Sequence, residues 1–187
     1  MFWNLANIIS VTRILLLPLF VGFLLSGNAL LMSIAVILCA IIFLLDYVDG
    51  YVAHKLNLKT NIGSFTDTIA DRITEVVMWI LFVALHIIPF WAPMIVLSRG
   101  MITDLIRAQA QSKGIPVYGL AKSELAKFLV NSRFMRGLGI IKMALFVIAS
   151  AIVAFDNIEL VKYVLPLTVL YVIINLIRGI PVIWEGR

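Results

Sequence analysis

Two short stretches of the 187-residue chain decide its fold: DYVDGYVAH at residues 46–54 and GSFTDTIAD at residues 63–71. Both place aspartates in or beside long apolar runs. Within each stretch, acidic and small residues recur every three or four positions, so each set lies on one face of a helix. The first set is Asp46, Asp49, Gly50 and Ala53, and the second is Gly63, Asp67 and Asp71.

The connection between the two stretches is short, so their helices are expected to be antiparallel neighbours whose four aspartates meet at one depth. Four like charges cannot share a site unprotonated without cations. Carboxylate oxygens favour hard divalent ions, so the spacing predicts Mg²⁺ or Mn²⁺, with two ions about 3.5–4 Å apart. Gly50 and Gly63 leave space beside the carboxylates for a phosphate group or for close helix approach.

The composition of the chain points to lipid. Hydrophobic residues make up 63% of the sequence and charged residues only 13%, whereas soluble domains are about half apolar and about a quarter charged. Six apolar stretches have a length suited to a bilayer span: 8–25, 29–53, 63–88, 90–111, 133–155 and 158–183. We therefore expect an all-α integral membrane protein with six transmembrane helices, forming a single domain over residues 1–187. A further, interfacial helix is expected at about 120–130.

The lysines and arginines are concentrated in the second-to-third connection, the fourth-to-fifth connection and the C-terminal end. Cytoplasmic loops are enriched in these residues, which predicts that both termini and a polar active-site cavity face the cytoplasm. The net charge of +5 would then lie mostly at the cytoplasmic face, where anionic lipid headgroups attract it. A nucleic-acid partner is not expected, because no soluble domain remains to present this charge.

The quoted residues resemble the signature of the CDP-alcohol phosphotransferases (CDP-alcohol phosphatidyltransferases), D-x2-D-G-x2-A-R-x8-G-x3-D-x3-D. All four aspartates, both glycines and the alanine match at the family spacing. His54 stands where the signature has arginine, which puts the nucleotide affinity in question. The six-span layout also agrees with the family.

The resemblance implies a reaction in which an alcohol attacks the phosphorus of a CDP-linked lipid and expels CMP. It implies that Asp46, Asp49 and Asp67 are metal ligands, and that Asp71 completes the metal site and acts as the general base. It also implies a homodimer. The CDP pocket would be lined by Asp49, Gly50, Ala53 and Gly63.

Basic residues near the fourth and fifth spans predict a phosphorylated acceptor, because arginine suits phosphate recognition. The expected acceptor-phosphate residues are Arg99, Arg107, Arg133 and Arg136. The stretch NLANIISVTR at residues 4–13 and the Arg99–Arg107 spacing resemble phosphatidylglycerophosphate synthases, so we expect glycerol 3-phosphate. The segment that joins Asp67 to Arg72 is more similar to inositol-phosphate-type synthases, which keeps inositol phosphate, or an archaeal ether-lipid equivalent, as an alternative.

Alternatives from other classes also fit parts of the pattern. Intramembrane aspartates are typical of ion pathways, so a divalent-cation transporter or channel is one alternative. An inactive scaffold descended from the enzyme family is another, motivated by His54. For the arginines, the structural alternative is that Arg107 reaches the headgroups while Arg99 pairs with Glu75 or Asp104.

Overall fold

The computed structural model describes the backbone of residues 5–55, 61–112 and 133–185, with side chains in these ranges except at 5–7, 49–55, 61–65, 111, 133–137 and 185. Within these ranges the chain is all-helical, without strands. The helices are α1 (Leu5–Leu24), α2 (Ala29–Lys55), α3 (Asn61–Ala84), α4 (Trp91–Ser112), α5 (Arg133–Phe155) and α6 (Val161–Glu185), the last preceded by a 3₁₀ turn at Ile158–Leu160. These six helices match the six predicted stretches to within a few residues. The interfacial helix expected at about 120–130 lies outside the described residues.

Three helical segments are long and apolar enough to cross a membrane: Ala29–Val48, Leu138–Phe155 and Ile158–Trp184. A shorter apolar helix covers Ile8–Leu24. Large apolar side chains such as Leu15, Leu30 and Ile80 are more than half exposed, which is the pattern of a lipid-facing surface. These features indicate an integral membrane protein.

The ends of the helices follow from local turn chemistry. Gly27, with a φ of +68°, lies between α1 and α2 and takes the left-handed conformation that glycine adopts without strain. Asn28 then caps α2, because its side-chain oxygen accepts hydrogen bonds from the backbone N–H groups of Leu30 and Leu31 at 3.0 and 3.3 Å. The connection is therefore short, and α1 packs against both α2 and α3.

The described chain divides into two compact units. The first comprises Met1–Ile87 and Met143–Val164, and its core is built around Phe146. The Phe146 ring stacks on Phe43 of α2 at 5.7 Å and on Phe82 of α3 at 5.8 Å, and it meets the Trp79 edge at 5.1 Å. Asp46 stands one turn beyond Phe43 in α2, so this aromatic core fixes the helices that carry the aspartates.

The second unit comprises Ile88–Lys142 and Leu165–Arg187. Its described helices are α4, the first part of α5 and most of α6. Here α4 and α6 come into close contact where the side chain of Arg99 lies against Gly179. That the whole chain is a single domain stays a prediction.

Candidate active site

Three of the four signature aspartates meet in the first unit. Asp46 comes from the last part of α2, and Asp67 and Asp71 come from successive turns of α3. One carboxylate oxygen of each lies within 4.8 Å of the others, and all three side chains are half-buried. The spacing of the two stretches thus leads to a real convergence of carboxylates from two helices.

The donor set suits a hard divalent cation. Opposite oxygens around one octahedral Mg²⁺ lie about 4 Å apart, twice the metal–oxygen distance. Oxygens spread over 4.8 Å can close on one such ion by small side-chain movements, or lie around two ions about 3.5–4 Å apart. The described residues therefore fit the metal that the sequence predicts.

The remaining signature residues are placed only by their backbone. Asp49, Gly50 and Ala53 lie in the last turns of α2, together with His54, and Gly63 lies in the first turn of α3. Their side-chain positions lie outside the described residues. The roles of Asp49 as a metal ligand and of this group as a CDP pocket stay predictions.

Arg13 of α1 is the residue that sequence reasoning missed. Its side chain is only 1% exposed, and its guanidinium bridges two helices. One terminal nitrogen donates to Asp46, and the other donates to Oδ1 of Asp71 at 2.8 Å. Hydrogen bonds between two charged groups are roughly twice as strong as neutral ones. The available signal was a single arginine inside the apolar stretch 8–25.

Other ion pairs clarify the alternatives raised for the arginines. Glu75, which is buried, accepts a hydrogen bond from Arg72 at 2.6 Å within α3. Asp104 lies 3.9 Å from Arg107 one turn along α4. Each of these two acids thus has an arginine partner one turn away on its own helix. That Arg99 pairs with one of them stays a prediction.

The predicted acceptor residues fall in the second unit. Arg99 and Arg107 lie two turns apart on α4, with the buried hydroxyl of Thr103 between them bonded to the Gly100 carbonyl at 2.9 Å. Arg99 lies so close to α6 that a Cβ added at Gly179 would come within 2.6 Å of its Nε. Arg133 and Arg136 belong to the first turn of α5, and their side chains lie outside the described residues.

Sequence reasoning also missed polar residues on α6. Asn175 is only 8% exposed, and the Nε of Arg178 is buried one turn further on. Together with Gly179 they lie at spacings of three and four in the last part of α6. This spacing was the signal that could have identified a polar face directed into the second unit.

Curated proteins with related sequences include enzymes of lipid synthesis. The chain is 34% identical to the CDP-diacylglycerol--glycerol-3-phosphate 3-phosphatidyltransferase of Bacillus subtilis over 110 residues, covering 52% of this chain and 56% of that protein. It is 37% identical over 70 residues to the protein of the same name from Aquifex aeolicus, covering 37% of this chain and 38% of that protein. The chain thus spans little more than half of the Bacillus relative.

A third relative carries a different name. A Mycobacterium tuberculosis protein, provisionally named a cardiolipin synthase, is 29% identical over 128 residues, covering 67% of this chain and 60% of that protein. The family model described as CDP-alcohol phosphatidyltransferase matches residues 3–176 and so includes both aspartate-bearing stretches. With three signature aspartates converging between α2 and α3, the chain belongs to the CDP-alcohol phosphatidyltransferase family.

Proposed function

We propose that this protein transfers a phosphatidyl group from CDP-diacylglycerol to glycerol 3-phosphate and releases CMP. The observation that carries the proposal is the convergence of Asp46, Asp67 and Asp71 on one point. Family membership supports the reaction type, and two relatives whose names specify glycerol 3-phosphate support the acceptor.

The aspartate cluster would hold Mg²⁺ or Mn²⁺, with Asp49 as the fourth ligand. A bound divalent ion neutralises the oxygens of the pyrophosphate and stabilises the charge that develops on the leaving group. Such hard cations take oxygen ligands, and Asp46, Asp67 and Asp71 each supply one to the same small volume.

Asp71 would act as the general base. The acceptor hydroxyl oxygen forms a bond to the phosphorus that carries the diacylglycerol, and the bond from that phosphorus to CMP breaks. The hydroxyl proton passes to Asp71, and CMP leaves with the bonding electron pair. A base must be oriented within hydrogen-bonding reach of its proton, and the 2.8 Å contact with Arg13 fixes the orientation of the Asp71 carboxylate.

The CDP moiety would bind beside the carboxylates. Asp49, Gly50 and Ala53 in the last turns of α2, with Gly63 in the first turn of α3, are the proposed lining residues. Small residues at these positions leave room for a nucleotide between neighbouring helices. His54, in place of the signature arginine, would offer a hydrogen bond without a permanent positive charge.

The acceptor phosphate would bind to arginines. Arg99 and Arg107 on α4, with Arg133 and Arg136 at the start of α5, supply planar, permanently charged donors that match a phosphate group. Within this set, the side chain of Arg99 packs closely against Gly179, and this packing holds it in place. A dianionic acceptor such as glycerol 3-phosphate gains more from this set than an uncharged alcohol.

We further propose six transmembrane spans with the reaction at the cytoplasmic face. Three segments are long and apolar enough to cross a membrane, and the charge pattern of the sequence favours both termini in the cytoplasm. A homodimer is proposed from the family resemblance.

The decisive experiment is product identification. Purified protein is incubated with CDP-diacylglycerol, Mg²⁺ and one acceptor at a time: glycerol 3-phosphate, inositol phosphate, phosphatidylglycerol or free inositol. Release of CMP and the mass of the lipid product are followed together. We expect phosphatidylglycerophosphate, formed only with glycerol 3-phosphate. CMP release with inositol phosphate alone would contradict the acceptor while supporting the family reaction.

The transporter alternative predicts a different result. Protein reconstituted in liposomes would take up divalent ions with a stoichiometry unrelated to any lipid product. Uptake without CMP release under any acceptor would replace the transferase proposal. The gathering of the three described carboxylates at one place between α2 and α3 favours the transferase.

A further inference from the structure

The cluster of Asp46, Asp67 and Asp71 is paired with a positively charged side chain of the same protein. Three half-buried carboxylates repel one another, and burying such charges without a partner is strongly unfavourable. Arg13 supplies a positive charge that is almost entirely withdrawn from solvent. Its guanidinium contacts Asp46 and Asp71, which are two of the three carboxylates in the candidate metal site.

The same contacts link three helices. Arg13 belongs to α1, Asp46 to α2 and Asp71 to α3, and α1 packs against both partners. Arginine is suited to such a bridge because its two terminal nitrogens can donate to separate carboxylates at once. The contact therefore stabilises the arrangement of the cluster in the absence of metal.

A divalent ion would use the same negative charge. Two positive groups that share Asp46 and Asp71 are close enough to repel, and repulsion at a few ångströms in a half-buried site is substantial. By thermodynamic linkage, a group that stabilises the metal-free cluster and is repelled by the ion lowers the affinity for that ion.

We propose that Arg13 is the resident counter-ion of the aspartate cluster, opposing the divalent ion: it stabilises the metal-free protein and weakens metal binding. The inference rests on the proposed metal site and is independent of the acceptor. Its functional meaning is that the helices around the site can assemble before the metal is bound. Arg13 is accordingly a positioning residue, which acts through Asp46 and Asp71.

The test compares Mn²⁺ binding to the purified full chain in detergent, measured from the electron paramagnetic resonance signal of unbound Mn²⁺. Arg13→Gln removes the charge and keeps a polar side chain of similar reach. We expect the Kd of this variant for Mn²⁺ to be lower than that of the native protein by about tenfold or more. Arg13→Lys, which keeps the charge, should remain near the native affinity.

The matched control is Arg72→Gln. It removes the same charge next to Asp71 in sequence, from a side chain that donates a hydrogen bond to Glu75. Its effect on Mn²⁺ affinity should be clearly smaller than that of Arg13→Gln. An equal effect would show that general charge is responsible, which would overturn the specific role of Arg13.

Thermal unfolding gives a second readout that does not depend on activity. In EDTA, Arg13→Gln should unfold at a lower temperature than the native protein, and added Mn²⁺ should raise its midpoint more. If Arg13→Gln cannot be purified even with Mn²⁺, Arg13→Lys takes its place. Lysine cannot bridge two carboxylates as a planar fork, so it should also lower the midpoint in EDTA, and no change would overturn the proposal.

The outcomes separate this inference from the metal site itself. Mn²⁺ binding by the native protein together with equal or weaker binding by Arg13→Gln overturns the inference and leaves the metal site intact. Absence of Mn²⁺ binding in every variant overturns both.

Discussion

Gly179 of α6 provides the space that the side chain of Arg99 occupies: a Cβ at position 179 would lie 2.6 Å from Nε and 3.1 Å from Cγ of Arg99. Real Cβ atoms do not approach other atoms so closely, so any larger residue must displace the arginine. The position of an expected acceptor-binding residue on α4 is therefore set by the absence of a side chain on α6.

Gly179→Ala should move Arg99 and weaken acceptor binding. We expect the KM for glycerol 3-phosphate to rise about tenfold or more, the scale of a lost hydrogen bond to a charged group, with a small change in the KM for CDP-diacylglycerol. Gly139→Ala is the matched control, because a Cβ there meets nothing within 4 Å. Equal kinetics in the two variants would argue against a role for Arg99 in the acceptor site.

Asp71→Asn should abolish transfer while preserving the fold. General base catalysis contributes about 10²–10⁴-fold, so the rate of CMP release should fall at least that far, with further loss from weaker metal binding. Asp156→Asn is the control: Asp156 is exposed and has a φ of 47°, a conformation that asparagine tolerates well. Retention of native activity by Asp71→Asn would exclude the assigned base.

Removing the aromatic centre of the first unit should destabilise the site from a distance. Phe146→Ala eliminates three ring contacts, each worth about 0.5–1.5 kcal/mol beyond the area buried. The thermal midpoint in detergent should fall well below that of Phe155→Ala, which removes a 57% exposed ring from the same helix. Equal midpoints would indicate that packing around Phe146 does not hold the aspartate-bearing helices.

The orientation can be tested by cysteine labelling of intact cells after Cys39, which is buried, is replaced by serine. Ser26→Cys and Glu159→Cys, both at exposed positions, should react with a membrane-impermeant maleimide. Lys113→Cys should react only after the cells are permeabilised. The opposite pattern would place the basic connections outside and reverse the proposed orientation.

Much of the fold could be predicted because its determinants are local. Apolar length predicted the helices, and the three- and four-residue spacing predicted that Asp67 and Asp71 share a face and meet Asp46 across a short connection. The predicted end of α3 was less accurate, because the expected helix runs to residue 88 and the observed helix ends at Ala84. His86 takes a left-handed φ of 58°, and the backbone N–H of Ile87 donates a hydrogen bond to the Phe82 carbonyl. The helix therefore ends through a backbone conformation that the residue types at these positions do not predict.

The partners of Arg13 could not be predicted in the same way. They lie 33 and 58 residues further along the chain, and helical periodicity contains no information on contacts at that distance. The contact between Arg99 and Gly179 could not be predicted for the same reason, since it depends on how α4 packs on α6. The sequence thus reveals which side chains share a helix face, whereas the counter-ions depend on which faces meet.

The burial of Arg13 has a consequence for biogenesis. An arginine in the middle of an apolar segment costs about 2.5–3.5 kcal/mol during insertion by the translocon, and α1 leaves the ribosome before either of its carboxylate partners is synthesised. The arginine consequently has neither of these ion-pair partners until Asp46 and Asp71 follow. We therefore expect α1 to gain both of its ion pairs only after the third helix has been synthesised.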